Sequence, residues 1–133
     1  KLDFSNDDAS FYELTDEDLK KLLESLLKLK FLVNLSLDFG NQNDKSNTLT
    51  DIGASYLDDY LKICHPLMVL KLNFGNNCLS EKGIWLIFQA IFKNEALQKV
   101  YLNFMNNNYG QNFTNKIIDS LIQKKRENFQ LLI

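Results

Sequence analysis

Apolar and polar residues alternate through Leu70-Lys71-Leu72-Asn73-Phe74, and the alternation stops at Gly75-Asn76-Asn77. A period of two is the signature of a strand with one buried side. After Leu79-Ser80 the period lengthens to that of a helix, with Ile84, Ile87 and Ile91 falling on one stripe. The stretch Leu70–Ile91 therefore predicts a strand, a tight Asn turn and an amphipathic helix.

The rest of the chain repeats this unit with different loop lengths. Four strand segments align: Leu2-Asp3-Phe4-Ser5-Asn6, Leu37-Asp38-Phe39-Gly40-Asn41, Leu72-Asn73-Phe74-Gly75-Asn76 and Leu102-Asn103-Phe104-Met105-Asn106. Their first residues recur after 35, 35 and 30 positions. A second landmark is an apolar residue followed by a hydroxyl, at Leu14-Thr15, Leu49-Thr50, Leu79-Ser80 and Phe113-Thr114. From each of the first three landmarks to the next strand leucine the distance is 23, whereas the segment leaving each strand is 12, 12, 7 and 11 residues long. Fixed arcs suit units that must lie on their neighbours, and variable loops collect on one rim.

Thr15, Thr50, Ser80 and Thr114 are placed to cap helices, and Asp18 completes a capping box with Thr15. After each cap a spacing of four runs through Asp18-Leu22-Leu26, Gly53-Leu57-Leu61, Gly83-Ile87-Ile91 and Ile117-Leu121-Lys125. Gly53 and Gly83 would let their helices approach the strands closely. Leu32, Leu67, Leu97 and Leu131 mark the return to each strand, ahead of Leu35, Leu70 and Val100.

Leu72-x-Phe74-x-x-Asn77-x-Leu79, followed by Gly83, Ile87 and Ile91, resembles the leucine-rich repeat of the long α/β, ribonuclease-inhibitor-like class. The resemblance covers nearly the whole chain. It implies an α/β solenoid of about four repeats over residues 1–133: a curved horseshoe segment with parallel strands on the concave side and helices on the convex side. Phe39, Phe74 and Phe104 depart from it, standing where the family usually has leucine. So does the asparagine register. The family's buried Asn matches Asn77 and Asn107, with Asp7 and Gln42 in the other units, but this chain keeps Asn6, Asn41, Asn76 and Asn106 one place earlier. Either row could form a ladder bonding to loop backbone.

In such a fold the side chains between the buried strand positions point out of the concave face. These are Asn34, Val69 and Lys99; Ser36, Lys71 and Tyr101; Asp3, Asp38, Asn73 and Asn103. They read either as a partner-binding surface, with Asp38, Val69, Lys71, Asn73, Lys99, Tyr101 and Asn103 as candidates, or as an ordinary solvated strand face. The loops Ser5–Phe11, Asn41–Thr48 and Met105–Asn112 extend that rim. The third helix is apolar almost all round, because Trp85, Phe88 and Phe92 lie off its Ile84-Ile87-Ile91 stripe. They read either as a convex docking patch or as aromatics tucked between helices.

Composition narrows the function classes. A net charge of −2 disfavours nucleic acid, which needs a basic stripe. The charge is uneven, −6 over residues 1–62 and +4 over 63–133, a polarity that could steer an oriented partner or be accidental. Cys64 and Cys78 read as small core residues in a reducing, cytoplasmic compartment. No apolar run is long enough to span a bilayer, so no membrane partner is expected. His65 is the one histidine, and neither a metal-ligand spacing nor a glycine-rich phosphate loop occurs, so no metal, cofactor or enzymatic activity is expected. Asp16-Glu17-Asp18 suits a helix dipole.

The expected role is a non-catalytic protein–protein interaction module, a scaffold that binds another protein. The alternative is a structural subunit covered by neighbours in a large assembly. The Asn, Lys, Ile, Phe and Leu bias, common in AT-rich genomes, suggests a cytoskeletal or ciliary one. A GTPase-activating protein shares this repeat type but is expected to need a basic rim, for which the chain offers only Arg126. Both ends read as cut from a longer chain, and a short solenoid without polar caps is expected to be marginally folded or to aggregate.

Overall fold

The computed structural model describes residues 2–3, 14–40, 48–64, 66–123 and 129–132. Strands and helices alternate along the chain: β1 (Leu2–Asp3), α1 (Asp16–Leu26), β2 (Asn34–Asp38), α2 (Asp51–Ile63), β3 (Val69–Asn73), α3 (Glu81–Lys93), β4 (Lys99–Asn103), α4 (Gln111–Gln123) and β5 (Phe129–Leu132). The strands form one sheet in the order β1-β2-β3-β4-β5, and every pairing is parallel. Each strand thus lies beside its sequence neighbour, one β–α unit along. Helices α1, α2 and α3 pack side by side in the same order.

The alternation in each strand decides its inner face. Leu35, Leu37 and Phe39, then Leu70, Leu72 and Phe74, then Val100, Leu102 and Phe104 are all buried. Register aligns them across the sheet: Leu37 faces Leu72 and Leu72 faces Leu102. Against them pack Leu19, Leu23 and Leu26 of α1, Ala54, Leu57 and Leu61 of α2, and Ile84, Ile87, Phe88 and Ile91 of α3. The phenylalanines that replace the expected leucine stack through the units. Ring centroids are 5.2 Å apart for Phe39 and Phe74 and 6.0 Å for Phe74 and Phe104.

The two asparagine rows turn out to do different jobs. Asn77 is buried; its Nδ2 donates to the carbonyls of Phe39, Phe74 and Gly75, and its Oδ1 accepts from Leu49 N–H. Asn107 repeats the pattern one unit on, donating to Phe74, Phe104 and Met105 and accepting from Leu79 N–H at 2.9 Å. This is the buried ladder. Asn76 and Asn106 instead adopt left-handed backbone, φ 56° and 57°, which asparagine tolerates better than other side-chain-bearing residues. Their amides join each other at 2.8 Å. Asn6, Asp7, Asn41 and Gln42 lie outside the described residues.

Thr15, Thr50 and Ser80 are helix N-caps, and Thr15 and Asp18 form the expected capping box. The Thr15 hydroxyl and N–H hold the Asp18 carboxyl below its usual range. Thr114 is not a cap: α4 starts at Gln111, and Gly110 supplies the first carbonyl, accepting from Phe113 and Thr114 N–H. The Gly110 N–H in turn donates to Glu81 Oε1 at 3.3 Å.

That contact belongs to a series. Asp16 accepts from Thr50 N–H at 2.9 Å, Thr50 Oγ1 at 2.6 Å and Gly53 N–H at 3.0 Å. Asp51 accepts from Ser80 N–H at 2.8 Å and Ser80 Oγ at 2.6 Å. The first acidic residue of each helix therefore closes the N-terminus of the next. Gly53 and Gly83 are small for this reason, since a Cβ would strike the Asp16 and Asp51 carboxylates rather than a strand. Asp16 serves the following helix as well as the dipole of its own.

Two further expectations need correction. Leu131 pairs with Leu102, so it is a strand residue and not the return leucine equivalent to Leu97. Cys78 is exposed, and only Cys64 is partly buried.

Because Asn77 satisfies four backbone groups that have no water to replace it, Asn77→Ala should cost about 2–4 kcal/mol. Asn76→Gly should change stability by less than ~1 kcal/mol, since glycine also accepts positive φ. Urea denaturation of the two variants checks the contrast.

Candidate functional site

No described helix packs on the outer face of the sheet. Across β2, β3 and β4 none of its residues is buried, and three rows cross the strands. One runs Asn34-Val69-Lys99, the next Ser36-Lys71-Tyr101-Gln130, and the third Asp3-Asp38-Asn73-Asn103-Leu132. All three contain the residues expected there from sequence, and the register of β5 adds Gln130 to the second and Leu132 to the third. The last two rows, from Ser36 to Gln130 and from Asp38 to Asn103, line an open groove of about 760 Å³.

The rows are not equivalent. In the third, Asp38, Asn73 and Asn103 point their oxygens back at the turns that follow their strands. Asp38, Asn73 and Asn103 accept from the N–H groups of Gly40, Gly75 and Met105 at 3.1, 3.0 and 3.0 Å. Asn73 Nδ2 also donates to Asp38 Oδ1 at 2.7 Å. This row holds the strand ends in place, so much of its hydrogen-bonding capacity is used internally. The middle row is freer. Lys71 is exposed, and its ammonium lies 4.6 Å from the centre of the Tyr101 ring. Lys99 is exposed one row away.

The helix side disposes of the second candidate patch differently. Phe88 is fully buried and packs on Phe104 and Phe92, with centroids 5.9 and 5.8 Å away. Its burial beside Ile87 widens the inner stripe of α3, the helix with the broadest contact to a neighbour, α2. Trp85 and Phe92 are half-buried against the same core. Lys116 of α4 covers the Trp85 ring at 4.9 Å. Trp85, Phe88 and Phe92 therefore do not form one exposed convex patch.

Sequence reasoning missed an apolar turn instead. In the return between α1 and β2, Leu27, Leu29, Phe31 and Val33 are exposed, Phe31 by 89%. Helix α1 has 11 residues where α2 and α3 have 13, so this return is longer. The signal was present: Phe31 aligns with Pro66 and Ala96, neither of which is a core position. It also missed Asn94, which is buried, donates to Leu61 O at 3.1 Å and accepts from Ala96 N–H.

No group of three or more His, Cys, Asp or Glu side chains is placed to hold a metal among the described residues. His65 and Arg126 lie outside them. Burial pushes the Cys64 thiol up to about 11, which keeps it protonated and unreactive at neutral pH. No helix among the described residues is long and apolar enough to cross a membrane.

No protein-family model matches this chain. No curated protein matches it either. Among solved structures, the fold is similar to that of leiomodin-1 actin-binding site 2, with a TM-score of 0.62 and 21% identity over 99% of this chain and 70% of that one. At that identity the likeness is one of fold.

Phe88→Ala should cost about 3–5 kcal/mol, as for a buried aromatic, and Trp85→Ala only ~1 kcal/mol. Thermal denaturation of the two variants measures the difference. Equal losses would mean that Trp85 is as much a core residue as Phe88.

Proposed function

We propose that this chain is a segment of a leucine-rich-repeat solenoid, curved with its strands on the concave side, that acts as a non-catalytic module binding another protein. The observation that carries this reading is the uncovered sheet face, where polar side chains and one aromatic, Tyr101, stand in register over a groove. A sheet whose inner face is packed on a core across β2, β3 and β4 is a rigid platform, and rigid platforms suit recognition because little ordering entropy is lost on binding. The solved neighbour is described as an actin-binding site, which supports a protein partner and a cytoskeletal setting.

A second reading, that of a subunit fixed in a larger assembly, draws on the exposed apolar turn at Leu27–Val33. Photo-crosslinking separates the two. A photoreactive residue would be placed at Ser36 or Lys71 on the open face, at Phe31 on the turn, or at Asp119 on the helix side, and the chain exposed to native extract. The module reading expects polypeptide adducts from positions 36 and 71 and none from 31 or 119. Adducts from all four would favour the assembly, and adducts from 119 alone would contradict both. Actin is the first polypeptide to look for among the adducts.

A further inference from the structure

We propose that the groove over β3 and β4 takes an acidic peptide segment, with a carboxylate of the partner seated on Lys71. This rests on the reading of the open face as a protein-binding surface and specifies the partner's chemistry.

Among the described residues, the three rows of the open face carry two lysines, Lys71 on β3 and Lys99 on β4, and two carboxylates, Asp3 on β1 and Asp38 on β2. Asp38 is already engaged, accepting from Asn73 Nδ2 and Gly40 N–H. Neither lysine is paired with a carboxylate among the described residues. The outward positions of β3 and β4, over which the groove lies, therefore carry two positive charges and no negative one, although the chain as a whole is at −2. An acidic partner is both attracted to that positive charge and oriented by it.

Geometry adds to the charge. A lysine on an open strand normally moves freely through solvent and loses that freedom on binding. Here the Tyr101 ring lies under the ammonium at 4.6 Å, and the attraction of the cation to the ring face holds it over the sheet. The ring satisfies none of the ammonium's three N–H donors as a carboxylate would, so they stay available. Around the pair lie Ser36, Gln130 and the amides of the third row, which offer donors to a peptide backbone or to a second carboxylate oxygen. The groove, about 760 Å³, lies within the range of small-ligand pockets and suits a few residues of extended or helical chain.

The test uses three dye-labelled ten-residue peptides of alternating leucine with glutamate, glutamine or lysine, and a ten-nucleotide oligothymidylate, in fluorescence anisotropy with the full chain. The glutamate peptide is expected to bind, at least tenfold more weakly to Lys71→Glu, severalfold more weakly to Tyr101→Leu, and more weakly as salt rises. Circular dichroism confirms that each variant is folded. Equal binding of the glutamate and glutamine peptides, both lost in Tyr101→Leu, would overturn the acidic specificity and leave the open face as the binding surface. Equal binding of the oligothymidylate would show a general polyanion site and overturn the proposal. Binding of the glutamate peptide unchanged by either substitution would overturn both the proposal and the reading beneath it.

Discussion

Each β–α unit borrows hydrogen-bonding groups from its neighbour, and the rest of the structure depends on that loan. A chain that turns sharply after every strand leaves amides and carbonyls in the turn that no ladder can pair, and burying them unpaired is costly. Asn77 and Asn107 satisfy those groups within their own turn and in the turn of the unit before. Asp16 and Asp51 do the same at the helix starts, where N–H groups would otherwise point at nothing. Asn94 does it at a helix end. These bonds fix the spacing and rotation between units, and the apolar core fills the space they define. The Phe39-Phe74-Phe104 stack and the matched strand leucines follow from that fixed offset.

Much of this was legible in the sequence because it is periodic. The parallel strand order, the leucine registers, three of the four caps and the outward rows all follow from where residues recur. What was not legible depended on contacts between units rather than on spacing within one. Two adjacent asparagine rows are equally regular in sequence, and only the path of the backbone separates the one turned inward from the one in left-handed conformation. The spacing suggests that Gly53 and Gly83 make room for a strand, yet the neighbour they accommodate is a carboxylate thirty or more residues away in sequence. The early start of α4 hid behind Thr114, a good capping residue that lies inside the helix once Gly110 supplies the first carbonyl. Phe88 looked like an outward aromatic because the stripe was counted from the isoleucines, whereas α3 buries a wider arc than α1 or α2.

The candidate surface was legible in outline and needed the structure for its weighting. From sequence the three outward rows are alike. In the fold the Asp38-Asn73-Asn103 row is spent on holding turns, and the Lys71–Tyr101 pair stands out as poised. The likeness to an actin-binding structure concerns the fold, so the chemistry of the face has to come from this chain's own residues.

Native-state hydrogen exchange reads out whether neighbouring units hold each other through these side chains. The Leu49, Thr50, Leu79 and Ser80 amides sit at or beside loops but donate to side chains of an adjacent unit. If those bonds hold the units together, the four amides exchange as slowly as those in the middle of β3 and α3, through opening of the whole row. Exchange at the rate of exposed loop amides, with β3 and α3 still protected, would show that the units are held by their apolar core alone.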